Sequence, residues 1–128
     1  VTGTQVSDRG WVAVALWLAL QVTLTSLPGK AIPVALPHPL DWAGHLCLYG
    51  GLGALVARAA ALRGWPRRRL VWMGLLLSVW AALDELHQLF IPGRSAEVGD
   101  WLSDTLGASL GLFVGTRLMT SKVVRWLR

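Results

Sequence analysis

Charge is scarce in this chain. Only 15% of its 128 residues are Asp, Glu, Lys or Arg, against about 25% in ordinary soluble domains. A small soluble domain has a large surface for its volume and needs polar side chains to cover it. The shortage therefore argues against a soluble enzyme. Cysteine is nearly missing as well. Cys47 stands alone, so no intrachain disulfide can form, and no Cys/His spacing resembles a zinc site. Internal repeats, low-complexity tracts and connections long enough for a further domain are also lacking. What the chain does have is hydrophobic residues, 54% of the total before its 14 glycines are counted. Soluble domains carry about 45–50% with glycine included. That excess is incompatible with intrinsic disorder. It predicts a single all-α domain over residues 1–128, built as an integral membrane bundle.

Four apolar runs predict four transmembrane helices, Trp11–Leu27, Trp42–Leu62, Leu70–Ile91 and Trp101–Met119. At 1.5 Å per residue, lengths of 17 to 22 residues cover about 26–33 Å, close to a hydrocarbon core of about 30 Å. None has the broad polar face of a helix on a soluble surface. Pro28-Gly29 closes the first span, and Pro33, Pro37 and Pro39 are expected to keep the next stretch from being helical. Asp41 is placed to cap the second helix, and Gly99 or Asp100 the fourth. No small-x-small cleavage site follows the first span, so it reads as a retained helix rather than a signal peptide. Trp11, Trp42, Trp72 and Trp101 stand near span ends, where interfacial tryptophans anchor.

Basic residues set the orientation. Arg9, Arg58, Arg63, Arg67, Arg68, Arg69, Arg117, Lys122, Arg125 and Arg128 fall on one side, and only Lys30 and Arg94 on the other. The positive-inside rule then puts both termini in the cytoplasm. Topology and contact with anionic lipid account for the net charge of +5, so no nucleic-acid partner is expected.

Polar residues inside the spans concentrate in the outer half. His45 lies one turn inside the second span, with Tyr49 one turn deeper on the same face. Asp84, Glu85 and Gln88 fall within an arc of about 100° and can face one interior. Asp100 and Asp104 share a face, and on it Gly107, Gly111 and Gly115 follow at intervals of four. Small residues at that spacing let another helix approach closely. Ionisable groups within spans are costly and mark functional cavities. The plainer alternative is interhelical glue, with Asp84 and Glu85 paired to His45 or Arg94. Tyr49 suits packing and hydrogen bonding. His87 points about 100° away from Gln88, toward a partner or the interface.

These residues resemble a known family. Asp41-Trp42-Ala43-Gly44-His45 followed by Tyr49 is similar to the first motif of the VanZ-like membrane proteins. Asp84-Glu85-Leu86-His87-Gln88, Phe90, Pro92-Gly93-Arg94, Asp100, Asp104, Gly107 and Gly111 resemble its longer second motif. The resemblance covers roughly residues 41–115. It departs from the pattern at Trp42, where the family usually has lysine, and at Asp104, where it usually has asparagine. Both changes make the region more negative. The resemblance implies a cell-envelope protein of the bacterial cytoplasmic (inner) membrane, in a family linked to glycopeptide (teicoplanin) resistance.

Two functions fit. The first is an outer-leaflet site that binds or processes a lipid-linked phosphate. Arg94 would clamp the phosphate bidentately, and Glu85 and Asp104 would act as base or hold a divalent cation bridging to it. His45 would donate the proton, and Gln88, Asp84, Asp100 and Tyr49 would line the site. The second is a non-catalytic subunit of a larger membrane protein complex, with the polar cluster serving only to join helices. Transport fits poorly, since no inverted repeat is visible.

Overall fold

Prolines and glycines divide the described residues into four α-helices that run up and down beside one another. The computed structural model describes residues 3–31 and 37–126, with side chains at 9–31, 37 and 39–119. Helix α1 spans Gly3–Thr25, α2 His38–Leu62, α3 Arg67–Gln88 and α4 Val98–Trp126, with a short 3-10 turn at Gly29–Ala31. Rings of Trp11 and Trp65, 5.3 Å apart, hold the start of α1 beside the α2–α3 connection. At the opposite end the Gly29 N–H donates to the Pro92 carbonyl at 3.0 Å, joining the α1–α2 and α3–α4 connections.

Helix starts differ from the sequence expectation. Pro39 does not hold off the helix but sits in the first turn of α2, with Pro37 just before it. Proline has no N–H, and the first N–H groups of a helix have no intrahelical acceptor, so nothing is lost there. Asp41 is consequently a first-turn residue and not the cap. Asp100 is likewise inside the first turn of α4, while the Glu97 carbonyl accepts the N–H groups of Asp100 and Trp101 at 3.1 and 3.2 Å. Both carboxylates still lie where the helix dipole favours negative charge. The expectation for Pro33 lies outside the described residues.

The closest packing is between α2 and α4. Gly107 and Gly111 explain it, because a Cβ on either would overlap the carbonyl oxygens of Leu46 and Gly50 respectively. Gly115 continues the contact against Ala54 and Ala57. The four-residue glycine spacing is thus the seam of α4 against α2. Trp17 lies over Gly51 and donates its indole N–H to the Leu48 carbonyl at 2.9 Å, which fixes α1 to α2.

The distribution of polarity is inverted relative to a soluble protein. Val71, Trp72, Leu75, Leu76, Val79, Leu83 and Leu86 are exposed along α3, while Gln21, Asp84, Glu85, Gln88, Asp100 and Asp104 are buried. An exposed apolar surface of this extent fits lipid better than water. Among the described residues two helices, Pro39–Leu62 and Arg67–Gln88, are long and apolar enough to cross a membrane, and the apolar stretch Arg9–Thr25 of α1 is shorter.

Candidate functional site

All four helices deliver polar side chains to one end of the bundle. Thr25 comes from the last turn of α1, His45 from α2, Asp84, Glu85 and Gln88 from the last turns of α3, and Asp100 and Asp104 from the start of α4. The α2–α4 seam lies just beneath, so close helix approach sets the depth at which His45 meets Asp104.

His45 is the hub. Its Nδ1 lies 2.9 Å from Asp104 Oδ1, and its Nε2 lies 3.7 Å from Asp100 Oδ2. An ionised carboxylate only accepts, so Nδ1 carries the hydrogen toward Asp104. Ligand atoms of His45, Glu85 and Asp104 all fall within 4.8 Å of one another. Those of Asp41, His45 and Asp100 meet the same limit. Glu85 is held from two sides: Oε1 accepts from the Gln88 amide at 3.0 Å, and Oε2 accepts the Glu97 backbone N–H at 2.9 Å. Asp104 is fully buried, and its Oδ2 has no hydrogen-bond partner among the described residues.

Asp84 belongs to an adjoining network. Its Oδ1 accepts from Thr25 at 2.8 Å and its Oδ2 from Tyr49 at 3.3 Å. The sequence placed Asp84 and Tyr49 with the lining residues; both oxygens of Asp84 instead join α1, α2 and α3. Ion pairs of Asp84 or Glu85 with Arg94 do not form among the described residues. Arg94 sits in the α3–α4 connection, its backbone N–H bonded to Ile91 at 3.1 Å. Its Nε is buried with no hydrogen-bond partner among the described residues. His87, set off from the buried face, is half-buried.

Trp42 covers Gly99, with its indole against the position a Cβ would occupy there. The tryptophan therefore staples the first turns of α2 and α4 together beside the pocket. Below it, Trp101 donates its indole N–H to the Ser78 carbonyl at 3.1 Å, and the Ser78 and Thr105 hydroxyls lie 2.9 Å apart. These contacts lock α3 to α4 next to Asp104.

Several of these partners are absent from the sequence reading. Thr25 and the fully buried Gln21 stand four apart on α1, the same spacing that marked Asp100 and Asp104, and that spacing marks the face of α1 they share without naming Thr25's partner. The Glu97 backbone donor leaves no trace in residue type.

Electrostatically the pocket is out of balance. Around the His45 imidazole stand the carboxylates of Asp41, Glu85, Asp100 and Asp104. Buried like charges at such range repel unless a proton or a cation offsets them.

A family model described as VanZ/LLP1 matches residues 10–119 of the chain. No curated protein and no solved structure matches it.

Proposed function

The chain belongs to the VanZ/LLP1 family and is a membrane protein of that family; from this premise we propose that it binds a lipid-linked phosphate at the outer end of a four-span bundle. The carrying observation is the convergence of His45, Glu85 and Asp104 within 4.8 Å at one end of the bundle. That end also carries Lys30 and Arg94, on adjoining connections joined through Gly29 and Pro92. The other end holds Arg63, Arg67, Arg68 and Arg69, which the positive-inside rule assigns to the cytoplasm. The cluster then lies at the level of the outer leaflet, where a headgroup can reach it while its tail stays in hydrocarbon.

Each residue has a task suited to its chemistry. Arg94, without an ion pair among the described residues, offers a guanidinium for bidentate contact with phosphate oxygens. His45, oriented by Asp104, can pass a proton to a phosphate oxygen. Glu85, aimed by Gln88 and the Glu97 N–H, supplies the acceptor opposite. Asp84 with Thr25 and Tyr49 keeps three helices at the spacing the pocket needs.

The test is equilibrium binding of a long-chain prenyl phosphate to the purified chain in nanodiscs. Losing a charged hydrogen-bond pair costs about 1.5–3 kcal/mol, so Arg94→Ala should weaken binding about 10- to 150-fold. His45→Gln should also weaken it at least about tenfold, by removing the proton donor to the phosphate oxygen. Equal affinity in the wild type and both variants contradicts the reading. In a second reading, a non-catalytic subunit, the exposed stripe of Trp72, Leu75, Leu76 and Val79 on α3 meets a partner helix instead of lipid. Stoichiometric partner subunits in the extracted material, with no phosphate binding, would decide for it.

A further inference from the structure

The His45 cluster holds more carboxylates than its one imidazole can offset, so a phosphate bound there gains from a further positive centre. The most deeply buried of these acids is Asp104, which is fully buried. Its Oδ1 has His45, but its Oδ2 has no hydrogen-bond partner among the described residues. Buried polar atoms nearly always have partners, and an orphan of this kind calls for an ion or a water. A carboxylate oxygen without a donor is a ready metal ligand, and two further ligand atoms, from His45 and Glu85, lie within 4.8 Å.

We propose that His45, Glu85 and Asp104 hold a divalent transition-metal ion in the pocket. One imidazole nitrogen and two carboxylate oxygens form a mixed donor set: the imidazole favours a transition metal over Mg2+ or Ca2+, and among transition metals the two carboxylates suit Mn2+. The ion replaces the hydrogen that His45 shares with Asp104, and their 2.9 Å separation already suits two ligands of one metal. Gln88 and the Glu97 N–H, both on Glu85, act as outer partners that aim the ligand. Three protein ligands leave coordination positions open. Asp41 and Asp100 flank the His45 ring on its other side, toward the end of the bundle. The ion neutralises two of the carboxylates and gives a phosphate oxygen a positive centre to meet. The proposal rests on the headgroup reading for its purpose, but its test uses the metal alone.

The experiment is a Mn2+ titration of the full chain in detergent after chelator treatment, with free Mn2+ followed by electron paramagnetic resonance. The wild type should bind one equivalent, and Cys47→Ser should bind identically, since that thiol is exposed and apart from the site. Asp104→Asn and Glu85→Gln should each weaken binding at least about tenfold, the low end of losses seen even for outer-shell changes. Pulsed measurements on the wild type should detect one imidazole nitrogen coupled to the bound ion, a result that needs no variant to fold. Absence of binding, equal binding in all variants, or bound Mn2+ without a coupled nitrogen would each overturn the site. A chain that binds Mn2+ but no prenyl phosphate keeps this site and loses the headgroup reading. One that binds the lipid and not the ion does the reverse.

Discussion

Gly111→Ala should destabilise the bundle by about 1–3 kcal/mol, the cost of forcing a methyl group into a filled interior. A Cβ there would overlap the Gly50 carbonyl oxygen and meet Ala54 N at 2.9 Å. Both neighbours are backbone of α2, so no side-chain rotation can make room, and the two helices must part. Gly44→Ala is the matched control. It lies on the exposed side of α2, with nothing within 4 Å of the added carbon. Alanine is the better helix former by about 0.5–1 kcal/mol, so that variant should be unchanged or slightly more stable. Thermal unfolding of each variant in the same detergent reads the difference. Equal midpoints would mean that the helices are not in contact along this seam.

His45→Ala should have a larger effect. The substitution leaves Asp104 fully buried with neither oxygen partnered, and leaves Asp100 without the imidazole 3.7 Å away. Breaking a buried pair by removing one partner costs about 3–5 kcal/mol, because the surviving charge is uncompensated. Removing both charges together should cost less than the sum, so His45→Ala/Asp104→Ala should recover part of the loss. Unfolding measured with chelator present separates this pairing from any contribution of a bound ion. Strict additivity in the cycle would show that His45 and Asp104 do not interact.

The sequence made the helices legible because lipid-facing surfaces leave long apolar runs, and Pro28-Gly29, Pro66 and Pro92-Gly93 mark their breaks. His45, Glu85, Gln88, Asp100 and Asp104 were legible for the opposite reason: such side chains are costly in a span unless they meet. The angular reading put Asp84 and Glu85 in one arc. Being adjacent, their side chains diverge by about 100°, enough for Asp84 to reach Thr25 and Tyr49 while Glu85 reaches the Glu97 N–H. Thr25 was not legible as a partner. A threonine in an apolar helix can satisfy its hydroxyl on its own backbone, as Thr23 does with the Ala19 carbonyl at 2.7 Å, so residue type does not reveal which threonine crosses to another helix. The expected caps failed at Asp41 and Asp100 because prolines and the Glu97 carbonyl start α2 and α4 earlier than the first apolar residue suggests.

Whether the pocket faces the outer side of the membrane decides the account most directly, and one labelling measurement reads it. In a Cys47→Ser background, Arg94→Cys places a single thiol on the α3–α4 connection, and Arg63→Cys places one on the α2–α3 connection at the opposite end. A membrane-impermeant maleimide applied to intact cells should label the position-94 thiol, and should reach the position-63 thiol only after the membrane is permeabilised. The reverse pattern would put the His45–Glu85–Asp104 pocket on the cytoplasmic side and contradict an outer-leaflet headgroup site.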